Sequence, residues 1–326
     1  MSTQISRAKS LAFRGVAGLL MLVGGITAGA WLMHAGIEPD GDRAEASIST
    51  ASINRGPLGR VTSWSPAGLR TASDHDLIVV DPAALGADSP AAVPAAIDAL
   101  KRRDGSTPRV VLARITVASA SALQLDWMLG APFGRSAPPA WLDVSQTGKG
   151  GRWPVAFWTS DWQAQVAGSS SALVDRLAAL GFDGVYIADG DGYLKVRGAR
   201  PSAETEFVQL VDRLAQRGKA INPDFTVVLA NAEELIAHPA IRTAIDAVAR
   251  EDLFFGADET GRPNARSAVV AGLHFLDRWR RESRPVLVVE RLADPQQIAA
   301  ARAEFARHGF IGTIVATGAQ DRQPAD

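Results

Sequence analysis

The sequence contains no cysteine, so disulfide bonds and thiolate chemistry are excluded. Its net charge at pH 7 is only −1, which argues against nucleic acid as a partner. The five histidines are scattered without the spacing of a zinc site, and we expect no metal. The sequence also lacks a Gly-x-Ser-x-Gly elbow and a Gly-x-Gly-x-x-Gly turn after its first strand. A serine hydrolase and a dinucleotide-binding domain therefore have no support, and we expect no cofactor.

The N-terminal segment, residues 1–37, has the features of an export signal. Basic residues come first, an uncharged stretch follows over residues 15–37, and acidic residues come next. This order predicts that the chain after the segment lies outside the cytoplasm, in the periplasm or beyond. The stretch is long enough for a membrane anchor, and Ala28-Gly-Ala30 also suits signal-peptidase cleavage. A cleaved signal peptide and an uncleaved inner-membrane anchor both remain open.

Residues 38–58 are polar and predict a linker, and residues 319–326 predict a polar tail. The remaining residues, 59–318, are enough for one (β/α) barrel of about 250 residues.

Short apolar runs alternate with amphipathic stretches along this region, which predicts a parallel sheet covered by helices. Nine runs predict strands: Val61–Trp64, Leu77–Asp81, Arg109–Ile115, Pro154–Trp158, Gly184–Ile187, Phe225–Ala230, Ile245–Ala249, Val286–Glu290 and Ile311–Ala316. Five stretches predict helices: Ala91–Arg103, Ser171–Leu180, Ala203–Arg217, Asn264–Arg281 and Pro295–His308. The fold class is therefore α/β, a (β/α)₈ TIM-type barrel preceded by a membrane or signal segment. Nine strands are one too many, and Val61–Trp64 is the weakest. Residues 118–152 predict a long loop over the barrel mouth.

The run Gly181–Tyr193 (Gly-Phe-Asp-Gly-Val-Tyr-Ile-Ala-Asp-Gly-Asp-Gly-Tyr) places carboxylates directly after a buried strand. In (β/α) barrels, the loops at this end of the strands hold the active site. The run resembles the Gly-Phe-Asp-Gly-Val-Tyr-Leu-Asp-x-x-Asp-x-Tyr signature of glycoside hydrolase family 114, the endo-α-1,4-polygalactosaminidase-like barrels. One position differs, because Ala188 stands where the family has an aspartate.

Glu251 follows another predicted strand and precedes bulky apolar residues. A carboxyl group beside aromatic rings has a raised pKa, as a general acid for glycoside cleavage requires. A salt bridge to Arg250 or to another arginine is the structural alternative. Family 114 has a similar Glu-x-Leu-Phe-x-Gly segment, and the resemblance implies that Glu251 is the catalytic proton donor.

Glycoside hydrolysis commonly needs a second carboxyl group. The resemblance would place it at position 188, where alanine cannot serve. Asp191 matches an aspartate of the family pattern and is predicted to compensate, although an Asx turn would equally explain it. Asp189 is predicted as a substrate contact, although its side chain would point away from that of residue 188 if the strand continued.

Arg114 marks a second departure, because the family tends to have Tyr-x-Ser-x-Gly-Glu in this strand. A cation replaces an aromatic ring and an acid is lost, so the cleft would be less negative. Such a cleft would disfavour a cationic amino-sugar and favour a neutral or anionic glycan.

The remaining predicted substrate contacts each have a structural alternative. Asp81 would also suit the N-cap of a helix, Trp158 would suit a position in the core, and Asn231 would suit a cap. Glu290 would also suit a salt bridge to Arg291 or Arg114. The resemblance adds Tyr193 to this set.

Three readings of the function follow from these residues. The first is an exported glycoside hydrolase that cuts an exopolysaccharide with two carboxyl groups, as endo-α-1,4-polygalactosaminidases do. The second is a catalytically silent barrel that binds the polysaccharide without cutting it, which Ala188 favours. An enzyme of another reaction type that shares only the scaffold is a third and weaker reading.

Overall fold

The computed structural model describes residues 61–62, 76–82, 93–102, 108–129, 134, 137–145, 151–257 and 261–316. The predicted export segment, linker and tail lie outside these residues. Within the described part of the chain, no helix is both long enough and apolar enough to span a bilayer.

The described residues form ten strands. They are β1 (Val61–Thr62), β2 (Leu77–Val80), β3 (Val110–Ile115), β4 (Ser119–Ser121), β5 (Arg152–Pro154), β6 (Gly184–Ile187), β7 (Thr226–Ala230), β8 (Ala247–Glu251), β9 (Val286–Leu292) and β10 (Ile311–Ala316). Eight of them form one sheet in the order β1-β2-β3-β6-β7-β8-β9-β10, and every ladder in it is parallel. Cα atoms of β1 come within 8 Å of those of β10. The sheet therefore curls round until its first and last strands approach each other, as in a barrel.

Nine helices and one 3₁₀ helix accompany these strands in the described residues. They are α1 (Val93–Lys101), α2 (Ala122–Leu129), α3 (Ser160–Ala167), α4 (Leu173–Ala179), α5 (Gly192–Val196), α6 (Ala203–Ile221), the 3₁₀ helix Glu233–Ala237, α7 (Pro239–Ala244), α8 (Arg266–Arg281) and α9 (Pro295–His308). Local sequence explains the limits of α9. The Asp294 side chain accepts hydrogen bonds from the first free N–H groups, and Gly309 ends the helix in the left-handed conformation.

The two faces of the sheet bury two separate apolar clusters because side chains alternate along each strand. The cluster inside the barrel contains small and medium residues: Leu77, Val79, Val110, Leu112, Tyr186, Ala188, Val228, Ala230, Ala247, Ala249, Leu287 and Val289. The other face packs against the helices in a larger cluster. Strands β2, β3, β6, β7 and β9 are thus buried on both faces over most of their length, which explains their near-continuous apolar runs in the sequence.

Most predicted elements are confirmed, and Gly184–Ile187, Ile311–Ala316 and Pro295–His308 have the predicted limits. The predicted strand Pro154–Trp158 is wrong. Only Pro154 of that run lies in a strand, and that strand, β5, pairs antiparallel with β4 outside the barrel sheet. Val155 and Phe157 are buried in the core without joining the sheet, so burial alone gives them an apolar pattern. The run beginning at Val61 does belong to the sheet, as β1.

The loop predicted over residues 118–152 also has secondary structure, since it contains β4 and α2. Its two ends form the β4–β5 hairpin, in which Ser121 pairs with Arg152. Because β4 begins four residues after β3 ends, the hairpin lies next to the C-terminal end of β3.

Candidate active site at the barrel mouth

Strand alternation places charged side chains on the inner face where the strands end. Glu251 continues the inner series of Ala247 and Ala249 on β8, and Arg291 continues that of Leu287 and Val289 on β9. By the same alternation, Arg114 follows Leu112 on β3, and Asp81 follows Val79 on β2. Acids and arginines from four strands thus meet at the C-terminal end of the barrel, where enzymes of this architecture hold their active sites.

Glu251 is fixed by two side-chain donors. Its Oε1 accepts a 3.0 Å hydrogen bond from the hydroxyl of Tyr186, and its Oε2 forms an ion pair with Arg291. The Glu251 side chain is 9% exposed, so it lies at the floor of the mouth. Burial first, and the nearby Glu251 carboxylate second, raise the pKa of Tyr186 well above its ordinary value. The phenol therefore stays protonated, and its O–H donates a hydrogen bond to Glu251.

The predicted surroundings of Glu251 differ from those observed. Its two contacts are a phenol and a guanidinium, whereas Phe254 packs towards Phe305. Of the predicted structural alternative, the salt bridge to Arg250 is wrong, whereas a salt bridge to another arginine, Arg291, is confirmed. Arg250 has the opposite orientation on β8 and pairs with Glu233 at 3.1 Å.

Arg291 also joins a second carboxylate to the site. One of its Nη atoms pairs with Glu251 and the other with Asp252. Asp252 follows the strand in a left-handed conformation with φ of +53°, and burial raises its pKa despite the attraction of Arg291. One guanidinium thus bridges two consecutive carboxyl groups, a pairing that the sequence analysis missed. The sequence did carry a signal for this pairing. Arg291 lies two and four residues after Val289 and Leu287, so its side chain is expected on the same inner face of β9.

Asn231 connects three neighbouring strands at this end of the barrel. Its Nδ2 donates to the backbone oxygen of Ala188 at 3.2 Å, and its Oδ1 accepts from the backbone N–H of Glu251 at 2.9 Å. The φ of Asn231 is +60°, a conformation that asparagine tolerates better than most residues. Asn231 was predicted as a sugar contact, but its amide binds backbone and fixes the position of Glu251.

Asp189 organises a loop. Its carboxylate accepts hydrogen bonds from the backbone N–H groups of Val117, Ala118 and Ser119 at 2.8, 2.9 and 2.8 Å. The Ser119 hydroxyl donates to the same carboxylate at 3.0 Å. This arrangement leaves little of Asp189 for a substrate, in contrast to the predicted role, and it secures the segment between β3 and β4.

Asp191 lies at the start of the short helix α5. Burial raises its pKa, and the charged groups that act on it are Lys195, Asp189 and Arg250. Arg250 belongs to the face of β8 opposite Glu251. The pairing of Asp191 with Glu251 as two catalytic carboxyl groups stays a prediction.

Glu290 is fully buried on the outer face of β9. Its two oxygens accept from the backbone N–H groups of Phe254 and Phe255 at 2.8 and 3.2 Å. Burial raises the pKa of Glu290 to about 7 despite these hydrogen bonds. The predicted substrate contact and the predicted salt bridge to Arg291 or Arg114 are both wrong, because Glu290 holds the loop that follows Glu251.

Tyr193 and Trp158 also have structural partners. Tyr193 is fully buried, its ring packs against Phe207, and its hydroxyl donates to Glu234 at 2.5 Å. The guanidinium of Arg200 lies 4.6 Å from the centroid of the Trp158 ring. One face of this indole is thus already covered. The contacts of Tyr193 and Trp158 involve none of the group formed by Glu251, Tyr186 and Arg291.

A pocket with several charged and polar residues in its lining lies between the ends of β2 and β3 and the β4–β5 hairpin, and Glu251 acts electrostatically on one of these residues, Arg152. Its lining includes Asp81, Arg114, Thr116, Gln124 and Arg152. The predicted contacts Asp81 and Arg114 are therefore brought together. Arg152 comes from β5 and was missed, because only the fold of the hairpin places it there.

No group of three or more His, Cys, Asp or Glu side chains suited to a metal ion occurs in the described ranges.

A comparison with known protein sequences finds a relative of this chain. An uncharacterized protein of Deinococcus radiodurans is 32% identical over 239 residues, which cover 73% of this chain and 72% of that protein. The chain belongs to the family of that protein. No protein-family model matches the chain.

Among solved structures, the glycoside hydrolase domain of PelA from Pseudomonas aeruginosa superposes with a TM-score of 0.57 at 19% identity. The match covers 81% of this chain and 95% of that domain. A variant of the same domain gives the same TM-score at 18% identity. This likeness shows that the chain has a glycoside-hydrolase-like barrel fold.

Proposed function

We propose that the protein is a glycoside hydrolase that cleaves a polysaccharide, similar to the endo-α-1,4-polygalactosaminidases of glycoside hydrolase family 114. Glu251 is its central catalytic carboxyl group. The observation that carries the proposal is the position of Glu251 on the inner face at the barrel mouth, fixed by Tyr186 and Arg291. The family signature around residues 181–193 and the glycoside-hydrolase-like fold support it.

The contacts of Glu251 favour one chemical role over another. Both of its oxygens accept hydrogen bonds, which suits a carboxylate that attacks the anomeric carbon or activates a water molecule. The proton for the departing sugar oxygen then comes from a second carboxyl group. Asp252 fits this role because Arg291 bridges it to Glu251 and burial raises its pKa. Asp81 is the alternative, in the lining of the neighbouring pocket. This assignment replaces the role of proton donor predicted for Glu251.

The second candidate function is glycan binding without cleavage. Ala188 favours it, because its methyl group lies on the inner face where the family signature has an aspartate. The scaffold around residue 188 is otherwise intact, with its backbone oxygen bound by Asn231.

Reducing-end release from an α-1,4-galactosamine-rich polysaccharide separates these functions. A hydrolase requires cleavage by the wild type and its loss in Glu251→Gln. Asp252→Asn and Asp81→Asn then identify the second carboxyl group, since only the true partner causes a comparable loss. Binding without cleavage by the wild type, with cleavage gained in Ala188→Asp, would instead establish the silent barrel. Neither binding nor cleavage of any glycan would overturn both.

We also propose that the protein is exported and works in the periplasm or outside the cell, either released by cleavage near Ala28-Gly-Ala30 or tethered to the inner membrane. The order of charges around residues 15–37 supports this proposal. Cell fractionation with N-terminal sequencing of the mature protein tests it. A full-length protein in the soluble cytoplasmic fraction would contradict export.

A further inference from the structure

Arg291 joins the two carboxyl groups that the proposed function assigns to the chemistry. It lies on the inner face near the end of β9, where its Nη2 pairs with Glu251 and its Nη1 pairs with Asp252. The Arg291 side chain is 32% exposed, and its two partners are more deeply buried. Water therefore screens both ion pairs less than it would at an open surface, and one guanidinium fixes the spacing of the two carboxyl groups.

The two carboxyl groups have unequal hydrogen-bond partners. Both oxygens of Glu251 accept hydrogen bonds, one from Tyr186 and one from Arg291. Oδ2 of Asp252 pairs with Arg291, whereas its Oδ1 is buried and has no hydrogen-bond partner among the described residues. Hydrogen bonds stabilise a carboxylate, and a buried oxygen without a donor favours the protonated form. The arrangement therefore suits Glu251 as the anion and Asp252 as the acid of the pair.

The proposed reaction moves negative charge from one of these groups to the other. An oxygen of Glu251 forms a bond to the anomeric carbon, or takes a proton from the water molecule that attacks this carbon, and in both cases Glu251 becomes neutral. The bond from the anomeric carbon to the departing oxygen breaks with its electron pair on that oxygen. The departing oxygen takes the proton of Asp252, which becomes the anion. The total charge is unchanged, and Arg291 contacts the anionic group before and after the step.

We propose that Arg291 is a positioning residue that keeps its positive charge paired throughout this transfer, first with Glu251 and then with Asp252. The inference rests on the proposed function, which gives the two carboxyl groups their roles. A guanidinium binds two groups at once through its separate Nη atoms, whereas the ammonium of a lysine is a compact point charge. Because the cation already contacts both groups, no side chain has to move when the charge moves.

The pH dependence of cleavage tests this role in Arg291→Ala. Glu251 must be ionised and Asp252 protonated, so kcat/KM falls at low pH with the first group and at high pH with the second. Loss of the cation should lower kcat about 10²-fold with little change in KM, and both limbs of the profile should move to higher pH by about one unit. The other charged groups nearby, Arg152 beside Glu251 and Glu290 beside Asp252, are the same in wild type and variant.

Two further variants separate positioning from charge and from stability. Arg291→Lys keeps the charge but should recover no more than about tenfold of the lost kcat, since one ammonium cannot serve both carboxyl groups. Arg217→Ala is the matched control, because Arg217 and Asp175 form an ion pair between α6 and α4 with exposures of 37% and 10%. Those of Arg291 and Glu251 are 32% and 9%. Arg217→Ala should leave both limbs in place, and melting curves show whether each variant folds.

The proton uptake of Glu251 can also be followed without a substrate. The chain has two tyrosines, and Tyr186 donates to Glu251. In protein labelled with carbon-13 at the tyrosine Cζ atoms, the Tyr186 signal should change with pH as Glu251 takes up a proton, and Tyr186→Phe assigns that signal. The midpoint of the change should lie about one pH unit higher in Arg291→Ala than in the wild type. It should be unchanged in Arg217→Ala.

An unchanged midpoint in Arg291→Ala would overturn the inference, and so would full activity of Arg291→Lys. A shift of the acidic limb alone would also overturn it, because Asp252 would then not be the acid that Arg291 serves. If Arg291→Ala does not fold, the midpoint and the limbs of Arg291→Lys decide in the same way. A shifted midpoint in a protein that cleaves no polysaccharide would contradict the proposed function and retain Arg291 as the counter-ion of Glu251. Cleavage with an unchanged midpoint would do the reverse.

Discussion

Glu251 and Glu290 are the same residue type at the ends of adjacent strands, and they occupy opposite environments. Glu251 faces the barrel interior, where the side chains of Tyr186 and Arg291 hold it. Glu290 faces outwards, where backbone N–H groups of the following loop hold it. The side chain that faces the mouth can meet a ligand, whereas the outward one organises the loop. Whether a residue occupies an inward-facing or an outward-facing position of its strand, rather than its type, thus decides whether it belongs to the candidate site or supports it.

The largest contrast should appear in catalysis. Glu251→Gln should lower kcat/KM for polysaccharide cleavage by about 10³-fold, because an amide can neither attack nor accept the proton. Glu290→Gln at neutral pH should lower it by less than about tenfold, through the position of the loop only. Reducing-end assays of both variants measure the two effects. Equal losses of kcat/KM in the two variants would contradict this contrast and would assign a catalytic role to Glu290.

A second contrast concerns stability and lies between Asp189 and Asp191. Asp189→Ala should lower the free energy of unfolding by about 3 kcal/mol, because three backbone N–H groups lose their acceptor. Asp191→Ala should lower it by less than about 1 kcal/mol, since that side chain makes no capping hydrogen bond to α5. Urea unfolding measures both values. Similar losses would mean that the loop between β3 and β4 does not depend on Asp189.

The pH dependence of stability should sharpen the distinction between the two glutamates. Burial raises the pKa of Glu290 from 4.5 to about 7, so the folded state binds this proton more tightly than the unfolded chain does. Its contribution to stability is complete below about pH 4.5 and is lost as the pH rises through 7. The change amounts to at most about 3 kcal/mol.

Glu290→Gln should remove this part of the pH dependence. The measurement is the difference in unfolding free energy between variant and wild type at several pH values from 5 to 8. A difference that stays constant over this range would show that Glu290 does not titrate as proposed.

The smallest contrast lies between the two tyrosines of the chain. Tyr186→Phe removes a donor to Glu251 and should lower kcat about tenfold with little change in KM. Tyr193→Phe removes the hydrogen bond to Glu234 and should cost about 1 kcal/mol of stability while leaving kcat unchanged. Steady-state kinetics and melting temperatures of both variants measure the two effects. A larger kinetic effect in Tyr193→Phe would reverse the assignment of inner and outer faces.

The sequence predicts the sheet well because most barrel strands are short, near-continuous apolar runs. It fails at residues 154–158, where an apolar run is buried without joining the sheet. At the site, Glu251 could be found from its position at the end of β8. Its partners could not, because Tyr186 and Arg291 lie 65 and 40 residues away in the chain. Only the curl of the sheet brings these three side chains together.

The hydrogen bonds of Asn231 do not depend on which side chain stands at position 188. Its amide binds the backbone oxygen of that residue and the backbone N–H of Glu251, and neither contact involves the side chain at 188. Exchange of aspartate and alanine there can therefore proceed in either direction while the neighbouring strands keep their positions. A substitution at position 188 therefore tests whether an inner-face carboxylate there contributes to cleavage, with the backbone around Glu251 unchanged.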